Sequence, residues 1–454
     1  MTSPAGSALL DVVERRLPDA LVAAGPERVG RVRSVVGLGV EVAGIDAAVG
    51  DLVTIGDNGG ATLAEVVAVG STTVRCMPLA HPGGLRAGLG VRASGRRLGV
   101  GVGDGVIGRV LDGLGRPIDG AGPLTGVQQV PVEADPPPPL RRGRVDEPLQ
   151  LGVRALDTLV TVGRGQRFGL FAGSGVGKSS LLSMIARGTS ADVCVLALVG
   201  ERGREVRDFV EDDLGPEGLA RSVVVVATSD EPALVRLRAA ATATRIAESF
   251  RDSGLDVVLM MDSLTRVAMA QREIGLSVGE PPATRGYPPS TFAMLPRLLE
   301  RAGPGVTGSI TGVYTVLVEG DDHNEPVADA ARSILDGHVV LDRRLATAGH
   351  YPSIDVLGSV SRVAGRVTTA AQRRDATTLR RAMAARRDAQ DLLDVGAYAP
   401  GTNPWVDAAV ACTAQIETFL QQGIDSLSGA DASWDALRAL ASRLESLVAG
   451  GGQA

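Results

Sequence analysis

The stretch FAGSGVGKSS, residues 171–180, combines glycines, serines and one lysine at the spacing of a phosphate-binding loop. Gly173, Gly175 and Gly177 allow the backbone to curl so that its N–H groups converge on phosphate oxygens, and a following helix N-terminus adds partial positive charge. A strict motif has glycine at position 172, where this chain has the small Ala172. The stretch predicts a set of nucleotide-binding residues: Gly173, Ser174, Gly175, Val176, Gly177, Lys178, Ser179 and Ser180.

Lys178 is the only lysine among the 46 basic residues of the chain, and all the others are arginine. If basic side chains were interchangeable, the lysine would fall at this position by chance in roughly 1 case in 46. An ammonium group is a compact charge that fits between the outer phosphates of a nucleotide, whereas a guanidinium is bulkier and requires forked partners. We therefore expect Lys178 to be catalytic and Ser179 to offer its hydroxyl to Mg²⁺.

Two acidic residues follow apolar runs that are typical of buried strands. Asp262 ends the run VVLMMD, and Glu201 lies in VGERGREV, directly after VCVLALV. Because parallel strands end at the same edge of a sheet, both carboxylates are expected beside the loop. We expect Asp262 to hold Mg²⁺ through water and Glu201 to polarise the attacking water. Taken alone, the first would be a turn residue and the second an exposed glutamate.

The elements that must position these residues follow from the hydrophobic pattern. Continuous apolar runs alternate with helical stretches after Leu151, which indicates an α/β fold with a parallel sheet covered on both faces. Short valine-rich runs between glycines predict a small antiparallel barrel before it. The predicted organisation is an N-terminal docking helix at 1–25, a β-barrel at 26–100, a connector at 101–150, a P-loop domain at 151–367 and a C-terminal helical domain at 368–454.

Composition limits the remaining possibilities. The three cysteines are far apart and have no metal-ligand spacing, which fits a reducing compartment. We identify neither a signal peptide nor an apolar run near the ~20 residues of a membrane span, so a cytoplasmic location is expected. A net charge of -6 disfavours a broad nucleic-acid-binding face. The first 20 residues could equally be a docking helix or a weakly packed terminus.

Several motifs together resemble one family. The segments FAGSGVGKSS, GERGREV, LMMDSLTRVAMAQREIGLSVGEPPATRGYPPSTFAMLPRLLERAG and DGHVVLDRRLATAGHYPSIDVLGSVSR resemble the type III protein-export ATPases, relatives of the rotary ATP synthase catalytic subunits. The loop sequence AGSGVGKS is more similar to the flagellar branch than to the injectisome branch. This resemblance implies a RecA-like central domain, with ATP and Mg²⁺ at the loop.

The resemblance also implies roles for individual residues. Glu201 matches the family's catalytic glutamate, and Arg202 matches the arginine beside it near the γ-phosphate. Arg266 matches a second phosphate-side arginine, and Tyr351 in GHYP matches the aromatic residue that packs against adenine. Arg362 in SVSR matches the arginine finger that enters the neighbouring subunit's site. The plainer interpretation is a structural or solvent-facing side chain for each arginine, and a core residue for Tyr351.

An arginine finger on the same chain as the loop implies a closed ring of identical subunits, six by resemblance. Such a finger contributes about 10³- to 10⁵-fold in rate, so a lone subunit would hydrolyse ATP slowly. The proline-rich loop 279–290 is either a surface connector or directed towards the pore. The partners implied are a stalk protein, a regulator or stator, export-gate membrane proteins and chaperone-bound cargo. The protein would lie at the inner face of the cell membrane as a peripheral component.

Four alternatives remain beside a flagellar export ATPase. An injectisome ATPase belongs to the same family by resemblance, whereas the block GYPPSTFAMLPRLLERAG and a finger-like SVSR on the same chain as Glu201 stand against an ATP synthase catalytic subunit. A Rho-like RNA translocase would require an RNA-binding barrel with surface aromatics, but residues 30–100 contain no Phe, Tyr or Trp. We therefore expect no nucleic-acid partner. A non-catalytic nucleotide-binding subunit predicts the loss of Lys178 or Glu201, and both are present.

Overall fold

The computed structural model describes residues 28–56, 60–318 and 325–451. The chain divides into two compact units, the first ending at Arg97 and the second beginning at Leu98. The predicted docking helix at 1–25 lies outside the described residues. None of the helices in the described part combines the length and the apolar character needed to span a bilayer.

The first unit is a closed antiparallel barrel with the strand order β1-β2-β5-β4-β3-β6. Its interior is filled by small aliphatic side chains such as Val40, Val53 and Ile55, which are fully buried. The alternation of buried and exposed residues along β1 is the period-2 pattern of a strand with one face towards a core. The predicted barrel is therefore confirmed, with strands β1 Val29–Val36, β2 Gly39–Ala43, β3 Asp51–Ile55, β4 Thr62–Val69, β5 Thr73–Pro78 and β6 Gly90–Arg97.

The second unit is built on a sheet with the order β17-β16-β10-β15-β13-β11-β12-β8, and β14 pairs with β15 off this path. Neighbouring strands from β16 to β8 are parallel, and β17 is antiparallel to β16. All seven residues of β11 are buried, as expected for a strand covered on both faces. The strands are β7 Gly99–Val102, β8 Val110–Asp112, β9 Gln128–Pro131, β10 Arg167–Ala172, β11 Val193–Val199, β12 Ser222–Ala227, β13 Asp256–Asp262, β14 Gly303–Pro304, β15 Ser309–Leu317, β16 Gly337–Leu341 and β17 Ile354–Ser361.

Helices connect the strands and fill the C-terminal region. A π-helical turn at Phe209–Leu214 separates α3 from α4. The helices are α1 Arg154–Thr158, α2 Lys178–Gly188, α3 Gly203–Asp208, α4 Gly215–Leu219, α5 Ala233–Asp252, α6 Leu264–Ser277, α7 Pro289–Leu299, α8 Pro326–Ile334, α9 Arg343–Thr347, α10 Ala364–Val367, α11 Ala370–Asp388, α12 Gln390–Asp394, α13 Pro404–Ala411, α14 Thr413–Leu420 and α15 Ala430–Gly451.

The segment 101–150 is more than the predicted connector. Strand β8 extends the main sheet beside β12, and β7 pairs with β9 in a two-stranded ribbon. These strands are three or four residues long, so they lack the extended apolar run that marked the central strands. The sequence prediction was wrong here because hydrogen bonding to a neighbouring strand, rather than local hydrophobicity, defines them.

The helical region after Val367 packs onto the sheet domain. Thr369 begins α11 with a capping box in which its side chain accepts from the Gln372 N–H and the Gln372 side chain accepts from the Thr369 N–H. Leu379, Phe419 and Leu437 belong to the same buried cluster as the side chains of α2. A continuous core therefore joins the C-terminal helices to the helix that follows the phosphate-binding loop.

Candidate active site

The phosphate-binding loop lies between β10 and α2, as its sequence predicts. Gly175 and Gly177 have φ values of 74° and 89°. These values lie in the left-handed region that other residues rarely adopt, so the glycines are required for the path of the loop. The Val176 side chain is 1% exposed and its carbonyl accepts a hydrogen bond from the Ser353 hydroxyl at 2.6 Å. The Val176 side chain anchors the loop in the core and does not line the cavity described below, so its predicted part in nucleotide binding stays a prediction about its backbone N–H.

Lys178 lies between the two predicted carboxylates. Its Nζ is 2.6 Å from Oδ1 of Asp262 and 3.4 Å from Oε1 of Glu201. Thr315 on β15 donates a hydrogen bond of 2.8 Å to the same Asp262 oxygen. Asp262 ends β13 and Glu201 follows β11, so adjacent parallel strands bring both carboxylates to the carboxyl edge of the sheet. The three groups form a compact charged cluster with Lys178 at its centre.

Burial and charge act in opposite directions within this cluster. Burial tends to lower the pKa of Lys178, but attraction to Asp262 and Glu201 outweighs it and raises the pKa. Burial raises the pKa of Glu201, although Lys178 counteracts part of this effect. The lysine therefore stays protonated, while Glu201 has a higher proton affinity than an ordinary glutamate. A carboxylate of this kind is suited to act as a general base near neutral pH.

A cavity of about 1350 Å³ opens above the cluster. Of the predicted nucleotide-binding and phosphate-side residues, it is lined by Gly173, Ser174, Gly175, Gly177, Lys178, Ser179, Ser180, Glu201, Arg202, Arg266 and Tyr351. This volume is above the usual range for small-molecule sites and leaves room for a nucleotide.

Tyr351 lies against the loop at the edge of this cavity. A methyl group placed on Gly177 would be 3.2 Å from the Tyr351 ring, so the absence of a side chain at Gly177 permits their close approach. Tyr351 is 45% exposed. The interpretation of Tyr351 as a buried core residue is therefore wrong, and its ring is accessible to a planar ligand.

The two predicted phosphate-side arginines differ in how they are held. The Arg202 side chain is 79% exposed and pairs with Glu205 at 2.9 Å. The Arg266 side chain packs on Gly200, where an added methyl group would be 3.0 Å from the Arg266 Cβ. The Nε of Arg266 is buried without a hydrogen-bond partner in the described structure. Arg266 thus presents an unsatisfied donor beside the cavity, whereas Arg202 is held by an exposed ion pair.

Arg362 lies outside the cavity of its own chain. It follows β17, its side chain is exposed, and it donates a hydrogen bond of 3.2 Å to the Arg332 carbonyl. The structure of one chain therefore does not bring Arg362 together with Lys178 and Glu201.

Sequence reasoning missed part of the cavity wall. Thr265, Met269 and Arg272 join Arg266 on one face of α6, at a helical spacing that could have been recognised from Asp262 onwards. Arg285, Arg343 and residues 422–424 also line the cavity. The segment 422–424 is far from the motifs in sequence and has no local pattern that predicts this placement.

The donor set at the cavity is suited to Mg²⁺. The Ser179 hydroxyl and the carboxylates of Asp262 and Glu201 are oxygen donors, which this ion prefers. Within the described ranges, no cluster of three or more His, Cys, Asp or Glu side chains could hold a metal by itself. Mg²⁺ characteristically binds through one or two protein groups together with substrate phosphates, so the residues present fit this ion.

Comparison with known proteins identifies the family. Residues 152–361 match the nucleotide-binding domain of the ATP synthase alpha/beta family, and residues 368–439 match the C-terminal domain of the EscN ATPase of type III secretion systems. The flagellum-specific ATP synthase of Bacillus subtilis is 51% identical over 91% of this chain and 95% of its own length. The chain belongs to the type III export ATPases of the ATP synthase alpha/beta family.

Other relatives agree with this assignment. The type 3 secretion system ATPase of Xanthomonas euvesicatoria is 49% identical over 92% of this chain and 94% of its own length. The assembled ATPase EscN of enteropathogenic E. coli has a TM-score of 0.86 at 44% identity and covers 91% of this chain and 100% of its own. EscN in complex with its central stalk EscO has a TM-score of 0.85 at 43% identity, with the same coverage of both chains. This export ATPase is therefore an ATP-hydrolysing enzyme.

Proposed function

We propose that this export ATPase hydrolyses ATP in the cavity above Lys178 and uses the reaction to energise or prime protein export through a flagellar type III apparatus. The observation that carries the proposal is the cluster in which Lys178 is held between Asp262 and Glu201 beneath a nucleotide-sized cavity. The identity of 51% to a flagellum-specific enzyme over nearly the whole chain supports the flagellar assignment.

In this mechanism the cluster performs two tasks. Lys178 exchanges its contacts with the carboxylates for contacts with the outer phosphates, because a compact ammonium can follow the charge as it moves. Glu201 accepts a hydrogen bond from the attacking water and removes its proton. The raised pKa of Glu201 strengthens it as a base, while Lys178 keeps enough of it ionised to act.

Mg²⁺ would be held by the Ser179 hydroxyl and, through water, by Asp262. When bound, the ion would neutralise charge on the phosphates. Thr315 orients the Asp262 carboxylate by its hydrogen bond, so the oxygen that contacts Lys178 is fixed before substrate arrives.

Three further side chains complete the proposed site. Arg266, whose buried Nε has no hydrogen-bond partner in the described structure, directs its guanidinium to the phosphates, and Arg202 reaches them after leaving Glu205. The half-exposed ring of Tyr351 packs against the base of the nucleotide. Nucleotide binding thus involves residues from both ends of the cavity.

Arg362 acts on the site of a neighbouring subunit in a homo-oligomeric ring. Its exposed position outside the cavity of its own chain supports a role in trans. The similar structure of EscN is that of an assembled ATPase, which supports a ring, and six subunits are our expectation. Each complete site would therefore combine Lys178 and Glu201 of one subunit with Arg362 of the next.

A stalk protein is the proposed partner at the centre of the ring, since EscN has been seen with the central stalk EscO. A regulator or stator, export-gate membrane proteins and chaperone-bound cargo would complete the apparatus. These partners would keep the enzyme in the cytoplasm at the inner face of the membrane.

The second candidate function is an injectisome ATPase. It is supported by the identity of 49% to a type 3 secretion system ATPase, close to the value for the flagellar relative. Restoration of swimming in a strain that lacks its flagellar ATPase distinguishes the two. Swimming supports the flagellar assignment, and restored injectisome secretion without swimming contradicts it.

The composite site is tested by mixing two inactive variants, Lys178→Ala and Arg362→Ala. In a mixed ring, the intact loop of an Arg362→Ala subunit meets the intact Arg362 of a Lys178→Ala neighbour. We expect the ATPase rate per subunit of the mixture to exceed that of either variant, and the rate of the parent to rise faster than linearly with concentration.

Arg438→Ala is the control, because its 57% exposed side chain lies outside the cavity and pairs with Asp435 and, at 3.8 Å, with Asp375, which Arg374 also neutralises; the rate should stay unchanged. A mixture no faster than its components, together with a strictly linear concentration dependence for the parent, would contradict catalysis between subunits.

A further inference from the structure

Residues 421–428, here called the strap, join α14 to α15 and run along the P-loop helix α2. At one end of the strap, the Gln422 N–H donates to the Tyr351 carbonyl at 2.9 Å. Towards the other end, Arg187, in the last turn of α2, donates to the Ile424 carbonyl at 2.7 Å and pairs with Asp425 at 3.0 Å. The strap is therefore hydrogen-bonded to Tyr351, which lies beside the phosphate-binding loop. It is also bonded to the C-terminal end of α2, the helix that follows this loop.

Gln422 connects the strap to the turn before α1. Its side chain is buried, and its amide oxygen accepts from the Arg154 N–H at 3.0 Å. Its amide nitrogen donates to the Gly152 carbonyl at 2.7 Å and also to the Ser426 carbonyl. Both polar ends of the side chain are thus used in contacts with the protein. Gln422 lines the cavity without offering its amide to a ligand.

Arg154 reinforces the same junction. Its guanidinium donates to the carbonyls of Thr418, Phe419 and Gln421, where α14 ends. A guanidinium that donates hydrogen bonds to the last carbonyls of a helix fixes the point at which the chain leaves the helix. The turn before α1, the end of α14 and the cavity wall therefore meet at Gln422.

We propose that Gln422 is a positioning residue that sets the nucleotide affinity of the cavity by holding Tyr351 and residues 423–424 as one wall. This inference deepens the proposed function, since it requires ATP to bind in this cavity. Gln422 acts through Tyr351 and the strap rather than by contact with the reacting phosphates.

Without the Gln422 amide, two buried backbone groups would be left unpaired. The Arg154 N–H and the Gly152 carbonyl would each lose a buried hydrogen-bond partner, which is unfavourable. The strap would then move away from the turn to let water reach these groups. Because the strap is bonded to the Tyr351 backbone, the wall would move with it, while Lys178 and its carboxylates at the other end of the cavity would remain in place.

The test is Gln422→Met, which keeps the length of the side chain and removes both of its hydrogen-bonding ends. Gln421→Met is the matched control, because Gln421 is the exposed neighbour and its side chain makes only a 3.4 Å contact with His350. We expect the ATP Kd and KM of Gln422→Met to rise about tenfold, the equivalent of about 1.4 kcal/mol, with kcat within about twofold of the parent. Gln421→Met should match the parent.

Gln422→Glu serves as a second variant if the methionine variant does not fold. A neutral carboxylic acid keeps an acceptor for Arg154 and a donor for Gly152, whereas the carboxylate keeps only the acceptor. Its Kd for ATP relative to the parent should rise between pH 5.5 and pH 8. Asp157, Glu201 and His350 are present in both proteins, so a difference between the two pH profiles reports the carboxylate at position 422 together with its effect on the neighbouring Asp157.

Equal ATP Kd values for Gln422→Met, Gln421→Met and the parent would overturn the inference, as would a loss of kcat at unchanged Kd. A parent that binds ATP without hydrolysing it would contradict the proposed function, and the Kd comparison would still decide the role of Gln422. A parent that does not bind ATP would contradict both.

Discussion

Two buried charge clusters lie at opposite edges of the same parallel sheet. At the amino edge, Arg301 and Glu248 form a bidentate pair, with both hydrogen bonds at 2.8 Å and side chains only 5% and 1% exposed. The guanidinium also donates to the Val132 carbonyl at 3.1 Å. At the carboxyl edge, Lys178 is shared between Asp262 and Glu201 beneath a large cavity. Both clusters neutralise buried charge, but only one opens to a ligand.

The two clusters use their cations differently. The planar fork of Arg301 matches one carboxylate, so its strongest contacts cannot be transferred without loss of geometry. The ammonium of Lys178 is a point charge on a flexible stem, and it can move from carboxylate to phosphate. A bidentate arginine pair that keeps one partner suits a structural position. A lysine that can change partners suits a catalytic position.

The largest expected effect comes from breaking the structural cluster. Arg301→Ala leaves the buried Glu248 carboxylate with only the 3.3 Å contact to Arg245, and we expect this to cost up to about 3–5 kcal/mol of folding free energy. We expect a strong decrease in the urea midpoint of unfolding, whereas ATP turnover per folded molecule at 25 °C stays near the parental value. Loss of turnover with unchanged stability would show that the two edges are not distinct in function.

Breaking the cavity cluster should have the opposite pattern. Glu201→Gln removes the proposed base while keeping its size, and kcat is expected to fall by about 10²- to 10³-fold. ATP binding and thermal stability should remain near parental values, because Asp262 still pairs with Lys178. Steady-state kinetics and a thermal melt test this prediction. Turnover of Glu201→Gln at the parental rate would show that Glu201 is not the catalytic base.

A third effect, which depends on pH, is expected at Asp157, a buried carboxylate that differs from both clusters. Its Oδ1 accepts from the Leu151 N–H at 2.7 Å, and its Oδ2 has no partner among the described residues. Burial raises the pKa of Asp157 to about 7, although hydrogen bonds from the backbone partly oppose this. The folded state thus binds a proton more tightly than the unfolded chain, whose aspartate has a pKa of about 4.

The consequence is a stability that falls as pH rises. The contribution of Asp157 is fully present below about pH 4 and is lost between about pH 4 and pH 7, at up to about 1.4 kcal/mol per pH unit. Asp157→Asn does not titrate, so its stability relative to the parent should increase over this range and level off above it. Urea unfolding at several pH values measures the difference. A parallel pH dependence for both proteins would contradict the buried, unpaired state of Asp157.

The central fold could be predicted because its strands are locally apolar. The runs RFGLFA, VCVLALV and DVVLMMD coincide with β10, β11 and β13, since strands covered on both faces carry an uninterrupted hydrophobic sequence. Strands β8, β16 and β17 were not identified. Strand β8 is three residues long, and β16 alternates buried with partly exposed residues, so pairing with neighbours defines them more than composition does.

The site was predictable to the extent that its residues follow these strands. Lys178, Glu201 and Asp262 meet because their strands end at the same edge of the sheet. Gln422 and Tyr351 could not be placed together in this way, because their contact depends on packing of the C-terminal helices against the sheet domain. The trans role of Arg362 remains a prediction, since it depends on an assembled ring.

The most direct measurement of the central claim is the ATP turnover of Lys178→Arg beside that of Arg301→Lys. The two exchanges reverse the side chains of the two clusters while keeping every charge. We predict that Lys178→Arg loses about 100-fold or more in kcat, and that Arg301→Lys loses stability but keeps parental turnover. Parental turnover by Lys178→Arg would contradict the claim that the site requires a compact, transferable ammonium.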